Sequence, residues 1–217
     1  MQLRLATFHA FAREHLPAPP ARVLEIGCGG GEVALALAGD GYDVTAIDPR
    51  APDGPIFRQV GLEEFLDEDG FDAVVASVSL HHLERLDAAV DRIAQLLRPG
   101  GLLVVEEFAK ERLTGVTARW YHLQRQALAA VGLDGKPVAE DFDEWLAHWH
   151  EGHADVHPAA DVRRALERRF AERFAAWGPY LFDHRLQDAV EPLERALIKA
   201  GAIEATGFRY VGQLRPV

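Results

Sequence analysis

Val23-Leu24-Glu25-Ile26-Gly27-Cys28-Gly29-Gly30-Gly31-Glu32 is the stretch on which the fold turns. An apolar run of strand length meets a loop holding Gly27, Gly29, Gly30 and Gly31, and a helical pattern begins at Glu32. Glycines in such a loop let the backbone take positive φ and pass close beneath a ligand. The open amides at the start of the helix can hold a carboxylate or a phosphate. Gly27, Gly29 and Gly31 give the spacing G-x-G-x-G. A dinucleotide fingerprint needs G-x-G-x-x-G, and Glu32 stands where its last small residue would be. The Lys-Ser or Lys-Thr ending of a P-loop is absent.

Outward from this loop the chain alternates strands and helices. The helix from Glu32 stops at Gly39-Asp40-Gly41, and Asp43 to Ile47 reads as a second strand. Strand, helix, strand implies a parallel pair joined by a right-handed crossover. Asp48 ends the second strand, where an acid can accept both hydroxyls of a ribose. Residues 55–60 are a short third strand, and Phe71 to Ser77 suits a strand buried on both faces. Leu86 to Leu97 is helical, Arg98-Pro99-Gly100-Gly101 a turn, and Leu102 to Glu106 another buried strand. Before the loop, Leu3, Phe8, Phe11 and Ala12 share a helical face within residues 3–15, and Leu16-Pro17-Ala18-Pro19-Pro20 stops that helix. From about residue 110 helical periodicity takes over, over 116–131, 141–150 and 159–176. A helix over 188–200 follows, then a hairpin of Ala202–Ala205 and Phe208–Arg215 around Thr206-Gly207.

Four segments together resemble the class I S-adenosylmethionine (SAM)-dependent methyltransferases. Residues 23–31 are similar to the first motif of that family, and Val44-Thr45-Ala46-Ile47-Asp48 to its second strand with the ribose-binding acid. Phe71 to Ser77 with Leu80-His81-His82-Leu83 resembles the fourth strand and the loop after it. Leu97 to Leu103 resembles the turn into the fifth strand. The resemblance implies an α/β, doubly wound, Rossmann-like seven-stranded sheet with the last strand antiparallel. It makes residues 1–109 and 185–217 the SAM-binding domain and leaves 110–184 as a helical cap inserted after strand five.

The resemblance also implies roles. Gly27, Cys28 and Gly29 pass beneath the methionine part of SAM, with Glu25 supporting the loop. Asp48 binds the ribose and Pro49 flanks the adenine. Gly61-Leu62-Glu63 stands where the family often has an Asp-Ala-Glu-like stretch. Leu62 and Glu63 are placed at the adenine, and Ser77 near the methionine amino group. A sulfonium methyl is already activated and needs in-line approach, so positioning supplies much of the rate. A general base is needed only where the acceptor must lose a proton early. His82 and His81, after strand four, are the candidates for that work.

The region from 110 to 184 holds all four tryptophans. Most of its aromatic residues are expected to form its own core. Tyr121, Trp149 and Tyr180 are those expected to face an acceptor, which favours an apolar or aromatic small molecule. His148, His150, His153 and His157 lie within ten residues, but the strongest zinc spacings are absent, and no metal is assigned. Arg163, Arg164, Arg168, Arg169 and Arg173 flank an apolar stripe and read as a solvated helix face.

Composition narrows the partners. The 217 residues carry a formal net charge of -11, which opposes a nucleic-acid partner. Ser77-Val78-Ser79-Leu80 lacks the Asp/Asn-Pro-Pro-aromatic stretch of amino-directed DNA enzymes. With 48% apolar and 26% charged residues the chain can build a full core and a polar surface. One cysteine, no apolar run of spanning length and no signal-peptide pattern read as a cytoplasmic protein. The sequence therefore predicts a SAM-dependent methyltransferase of a small molecule. The alternative is a non-catalytic SAM-binding or regulatory protein on the same scaffold.

Overall fold

The computed structural model describes residues 2–134 and 137–216. Helix α1 (Leu3–His15) precedes β1 (Arg22–Ile26), α2 (Glu32–Gly39), β2 (Asp43–Asp48), β3 (Phe57–Gln59) and β4 (Phe71–Ser77). A 3-10 turn at Leu80–His82 leads to α3 (Leu86–Leu96) and β5 (Leu97–Phe108). Then come α4 (Gly115–Ala130), α5 (Phe142–Gly152), α6 (Ala159–Arg169), β6 (Phe170–Gly178), α7 (Glu191–Lys199) and β7 (Gly207–Leu214).

The seven strands form one sheet in the order β3-β2-β1-β4-β5-β7-β6. All pairs from β3 to β5 are parallel, and β7 runs antiparallel to both β5 and β6. The central strands are buried on both faces, which is why they read as apolar runs. Alternate residues go to opposite faces: Val23, Ala73, Val75 and Val104 pack against α1 and α2, including Phe8, Phe11 and Leu37. Leu24, Val74 and Leu103 pack on the other face with Ile93 of α3 and Leu166 of α6. The strand order reverses between β1 and β4, and the loops after these strands open at one edge of the sheet, where ligands bind in such folds.

Two expectations fail here. The helix expected over 159–176 ends at Arg169, and residues 170–178 form β6 within the sheet. Leu166, Phe170 and Phe174 repeat at helical spacing, but pairing with β7 from Phe170 to Gly178 decides the conformation. The stretch 110–184 is therefore not helical throughout. The hairpin of 202–205 with 208–215 does not form either. Only Gly207–Leu214 is a strand, and it inserts between β5 and β6.

A third core lies at the carboxyl ends of β4 and β5. Phe108 and Leu113 pack there with Tyr121 of α4, Trp145 and Trp149 of α5, and Tyr180 and Leu181 from the segment joining β6 to β7. Two separate stretches, α4–α5 and 179–206, thus build over the same edge. Helix α5 is capped by Asp141, whose side chain accepts from the Glu144 amide at 2.8 Å.

Candidate functional site

The glycine loop is pinned to the end of β2. The amides of Gly27 and Cys28 both donate to the Ile47 carbonyl, at 2.9 and 3.2 Å. Gly27 has φ +70°, and a Cβ built on it would lie 2.5 Å from the Cβ of Ser79. Gly31 has φ +83°, and a Cβ there would meet the Phe57 ring at 2.5 Å. Both positions need glycine for space and for conformation. Gly29 has nothing within 4 Å of such a Cβ, so the loop is open above it.

Asp48 faces this opening. Its Oδ2 accepts from the Gly29 amide at 3.2 Å and its Oδ1 from the Arg50 amide at 2.7 Å. Two amides fix the carboxylate and leave further acceptor capacity for hydroxyl groups. Gly27, Asp48, Pro49, Leu62, Ser79 and His82 line a common cavity of about 420 Å³, within the usual range for a small-molecule site. Glu63 stands outside it, in an adjoining hollow that shares Pro49, Leu62 and His82. Cys28 and Gly29 belong to the loop but not to the cavity wall. Burial pushes the Cys28 thiol up to about 12.

Glu25 lies beneath the loop, 3% exposed, and its Oε2 has no partner among the described residues. Burial raises its pKa to about 8, against a hydrogen bond from the Ala34 amide. Glu25 does not line the cavity; the open glycine loop with the fixed Asp48 carboxylate opposite is what leaves room for a nucleoside ligand. The residues present fit SAM: Asp48 has acceptor capacity that ribose hydroxyls would use, Leu62 and Pro49 would lie beside the base, and Gly27 would pass under the methionine.

Ser77, at the end of β4, is held by α1. Its hydroxyl accepts from Arg4 Nη1 at 2.7 Å, and it does not line the cavity; Ser79 does. Ser79 Oγ donates to the Ile26 carbonyl at 3.0 Å. Between them Val78 has φ +54°, a conformation unfavourable for a β-branched residue, while its amide donates to the Glu106 carbonyl at 2.7 Å. Arg4 also donates to Glu106 Oε2 at 2.8 Å and to Asp183 at 2.7 Å, tying α1 to β5 and to the β6–β7 segment. Arg209 donates to the other oxygen, Glu106 Oε1, at 2.7 Å. A smaller cavity of about 220 Å³ lies beyond Arg4, with Phe11, Trp177, Phe208 and Arg209 in its walls.

The two histidines part company. His82 is exposed at the rim of the cofactor cavity, and its pKa is lowered by partial burial, then by His81 and His153, against the opposing effect of Glu107. His81 is buried, with Nδ1 bonded to Glu107 Oε2. The sequence reading missed Glu107, although two adjacent carboxylates in a buried strand, Glu106-Glu107, were a signal.

Tyr121, Trp149 and Tyr180 pack together in the aromatic cluster over the sheet edge. Tyr121 is 0% exposed and its hydroxyl is 2.5 Å from the His184 carbonyl and 2.8 Å from His184 Nδ1. A ring protonated at Nδ1 donates to that hydroxyl, which donates to the carbonyl. Burial, with His153, Arg185 and Arg125 nearby, pushes His184 down to about 3, so the ring stays neutral. Trp149 and Tyr180 pack against Phe108, at centroid distances of 5.9 and 4.7 Å. Of the clustered histidines, His153 bonds the Trp149 carbonyl and His157 the Leu83 carbonyl. Among the described residues no group of three or more His, Cys, Asp or Glu could hold a metal ion. Arg163, Arg164, Arg168 and Arg169 pair with acids at the surface. Among the described residues no helix is long and apolar enough to cross a membrane.

Known proteins resemble this chain in sequence and in fold. A family model described as a methyltransferase domain matches residues 1–172. A ubiquinone biosynthesis O-methyltransferase of Xylella fastidiosa is 36% identical over 110 residues, which is 44% of this chain and 45% of that protein. The chain spans about half or less of the length of the curated relatives it matches. Among solved structures, the N-methyltransferase NodS of Bradyrhizobium japonicum, in complex with S-adenosylhomocysteine, has a TM-score of 0.57 at 15% identity, over 98% of this chain and 86% of that one. A 1,6-didemethyltoxoflavin-N1-methyltransferase of Burkholderia thailandensis has a TM-score of 0.55 at 17% identity, over 99% of this chain and 81% of that one. With the glycine cradle, the fixed Asp48 carboxylate and the sheet order in place, the family match leads to one conclusion: this chain belongs to the methyltransferase-domain family and has the class I fold, whose cofactor is SAM.

Proposed function

We propose that this chain transfers a methyl group from SAM to a hydroxyl oxygen of a small, apolar or aromatic acceptor. The observation that carries it is the joint placement of Gly27, Asp48, Pro49 and Leu62 around one cavity. Bound SAM supplies the activated methyl. The glycine loop then orients the methionine part, and the fixed Asp48 carboxylate sets the ribose. Gly27, Ser79 and Val78 hold the floor on which the reacting centre is positioned.

The O-linked reading rests on the sequence relative named above, an O-methyltransferase of ubiquinone biosynthesis. The two N-methyltransferases share the fold at 15% and 17% identity, which says little about the acceptor atom. An aromatic cap supports an apolar or aromatic acceptor. In this reading the cap comprises α4, α5 and the segment 179–206, which leaves α6 and β6 of residues 110–184 outside it and adds residues 185–206. His82 and His81 are the candidates to receive a proton, Tyr121, Trp149 and Tyr180 shape the cap, and Glu63 and Cys28 border the cofactor. The net charge of -11 disfavours a nucleic-acid acceptor. A single buried thiol, Cys28, suits a cytoplasmic setting.

Calorimetric titration with SAM, S-adenosylhomocysteine and NADH tests the cofactor, after removal of any carried-over ligand. Micromolar binding of both adenosyl compounds and none of NADH is expected. Catechols, phenols and amines, offered with radiolabelled SAM, then test the acceptor. Tight binding with transfer to none of them would favour a regulatory SAM-binding protein.

A further inference from the structure

Glu107 is 0% exposed, near the end of a strand on which Leu103 and Val105, the alternate positions before it, are buried and apolar. A buried carboxylate is costly unless its partners compensate. Its Oε1 accepts from the Leu80 amide at 2.7 Å, and its Oε2 is bonded to His81 Nδ1. Glu106, beside it in sequence, is occupied by Arg4 and Arg209. Glu107 is thus committed to one imidazole and to the turn that carries it.

The turn is braced from a second side. The His157 amide donates to the His81 carbonyl at 2.9 Å, and His157 Nε2 bonds the Leu83 carbonyl at 2.9 Å. Among the described residues, His81 Nε2 has no hydrogen-bond partner. The His81 ring lies 4.1 Å from that of His82, which lines the cofactor cavity. The ionisable groups that face His81 are Glu107, His82 and, from the cap, His153.

We propose that His81, rather than His82, receives the acceptor's proton, and that Glu107 is its positioning residue. The inference rests on the methyl-transfer reading above. A carboxylate holding Nδ1–H leaves the Nε2 lone pair free and stabilises the imidazolium that forms, the logic of carboxylate–imidazole pairs generally. The acceptor O–H bond breaks and its proton passes to His81 Nε2. The oxygen's electron pair forms the new bond to the methyl carbon, and the electrons of the broken C–S bond stay on sulfur. His81 returns the proton to solvent as the products leave.

Two measurements decide the point. The first is the imidazole ¹⁵N spectrum of the whole chain loaded with S-adenosylhomocysteine. At pH 8 His81 is expected as a single Nδ1–H tautomer with Nε2 unprotonated, a state lost in Glu107→Gln. Protonated Nε2 in the wild type would overturn the proposal. The second is methyl transfer to 3,4-dihydroxybenzoate by His81→Gly. A loss of about 10²–10⁴-fold in kcat, SAM affinity within about twofold of wild type, and partial recovery on adding imidazole are expected. Wild-type rates in His81→Gly, or no recovery with imidazole, would overturn it. A wild type that binds SAM but does not methylate this catechol counts against the acceptor reading instead, and the tautomer then decides alone.

Discussion

Ser79 packs against the α-carbon of Gly27 so closely that a Cβ there would lie 2.5 Å from its own. The same serine donates to the Ile26 carbonyl at 3.0 Å, so the loop after β4 is seated on the loop after β1. Gly27→Ala therefore meets both a clash and an unfavourable φ of +70°. Gly29→Ala meets only the conformational cost at φ +51°, about 1 kcal/mol. Urea denaturation should show Gly27→Ala as the more destabilised, by about 2 kcal/mol or more. Equal losses would mean that Ser79 gives way.

Asp48→Ala should weaken SAM binding about 100-fold, the loss of two charge-assisted hydrogen bonds. Its two amide contacts, with Gly29 and Arg50, are at the partly exposed loop, so the melting temperature should fall only slightly. Calorimetry and thermal melting read the two effects separately. Wild-type affinity in this variant would remove the ribose assignment.

Glu25 should leave a pH signature in stability. Its carboxyl titrates near 8 in the folded chain and near 4.5 unfolded. Between those values the folded chain keeps a proton that the unfolded chain has released. Its contribution is present below about pH 4.5 and lost as pH rises towards about 8, at up to about 1.4 kcal/mol per unit. Glu25→Gln, which mimics the protonated group, should flatten this slope. Unfolding free energies at pH 5, 6.5 and 8 compare the two proteins, and parallel curves would count against a protonated Glu25.

Glu194 should be a keystone of the β6–β7 segment. Its carboxylate is 0% exposed and accepts from the amides of Tyr180, Leu181 and Phe182 at 2.9, 3.0 and 2.8 Å. Glu194→Ala strands three buried donors and should cost about 3 kcal/mol, while Glu194→Gln, which keeps an acceptor, should cost less. Hydrogen exchange at residues 180–182 should rise in the alanine variant first.

Local signals were legible and non-local ones were not. The glycine loop, Asp48 and the buried strands are each written in a short contiguous stretch, and the loop's needs for positive φ and close approach leave few alternatives at Gly27 and Gly31. β6 is the opposite case. Phe170-Ala171-Glu172-Arg173-Phe174 carries apolar residues four apart, a helical spacing, and becomes a strand through pairing with β7, some forty residues on. Tyr121, Trp149 and Tyr180 show the limit of composition: aromatic content announced a core but not which side of it faces a cavity. The left-handed Val78 has no sequence signal, because a β-branched residue is poorly suited to that conformation.

The place of β7 between β5 and β6 also sets an order of manufacture. On the ribosome, β5 and β6 are complete well before residues 207–214 emerge. During that interval the backbone of β5 has no partner on that side, and β6, whose pairing is with β7, has no place in the sheet. Open strand edges recruit other chains. Translation of the last strand is therefore the step that closes the sheet. A stall or premature stop downstream of β6 would yield an adhesive product with its glycine loop intact, rather than a smaller working enzyme.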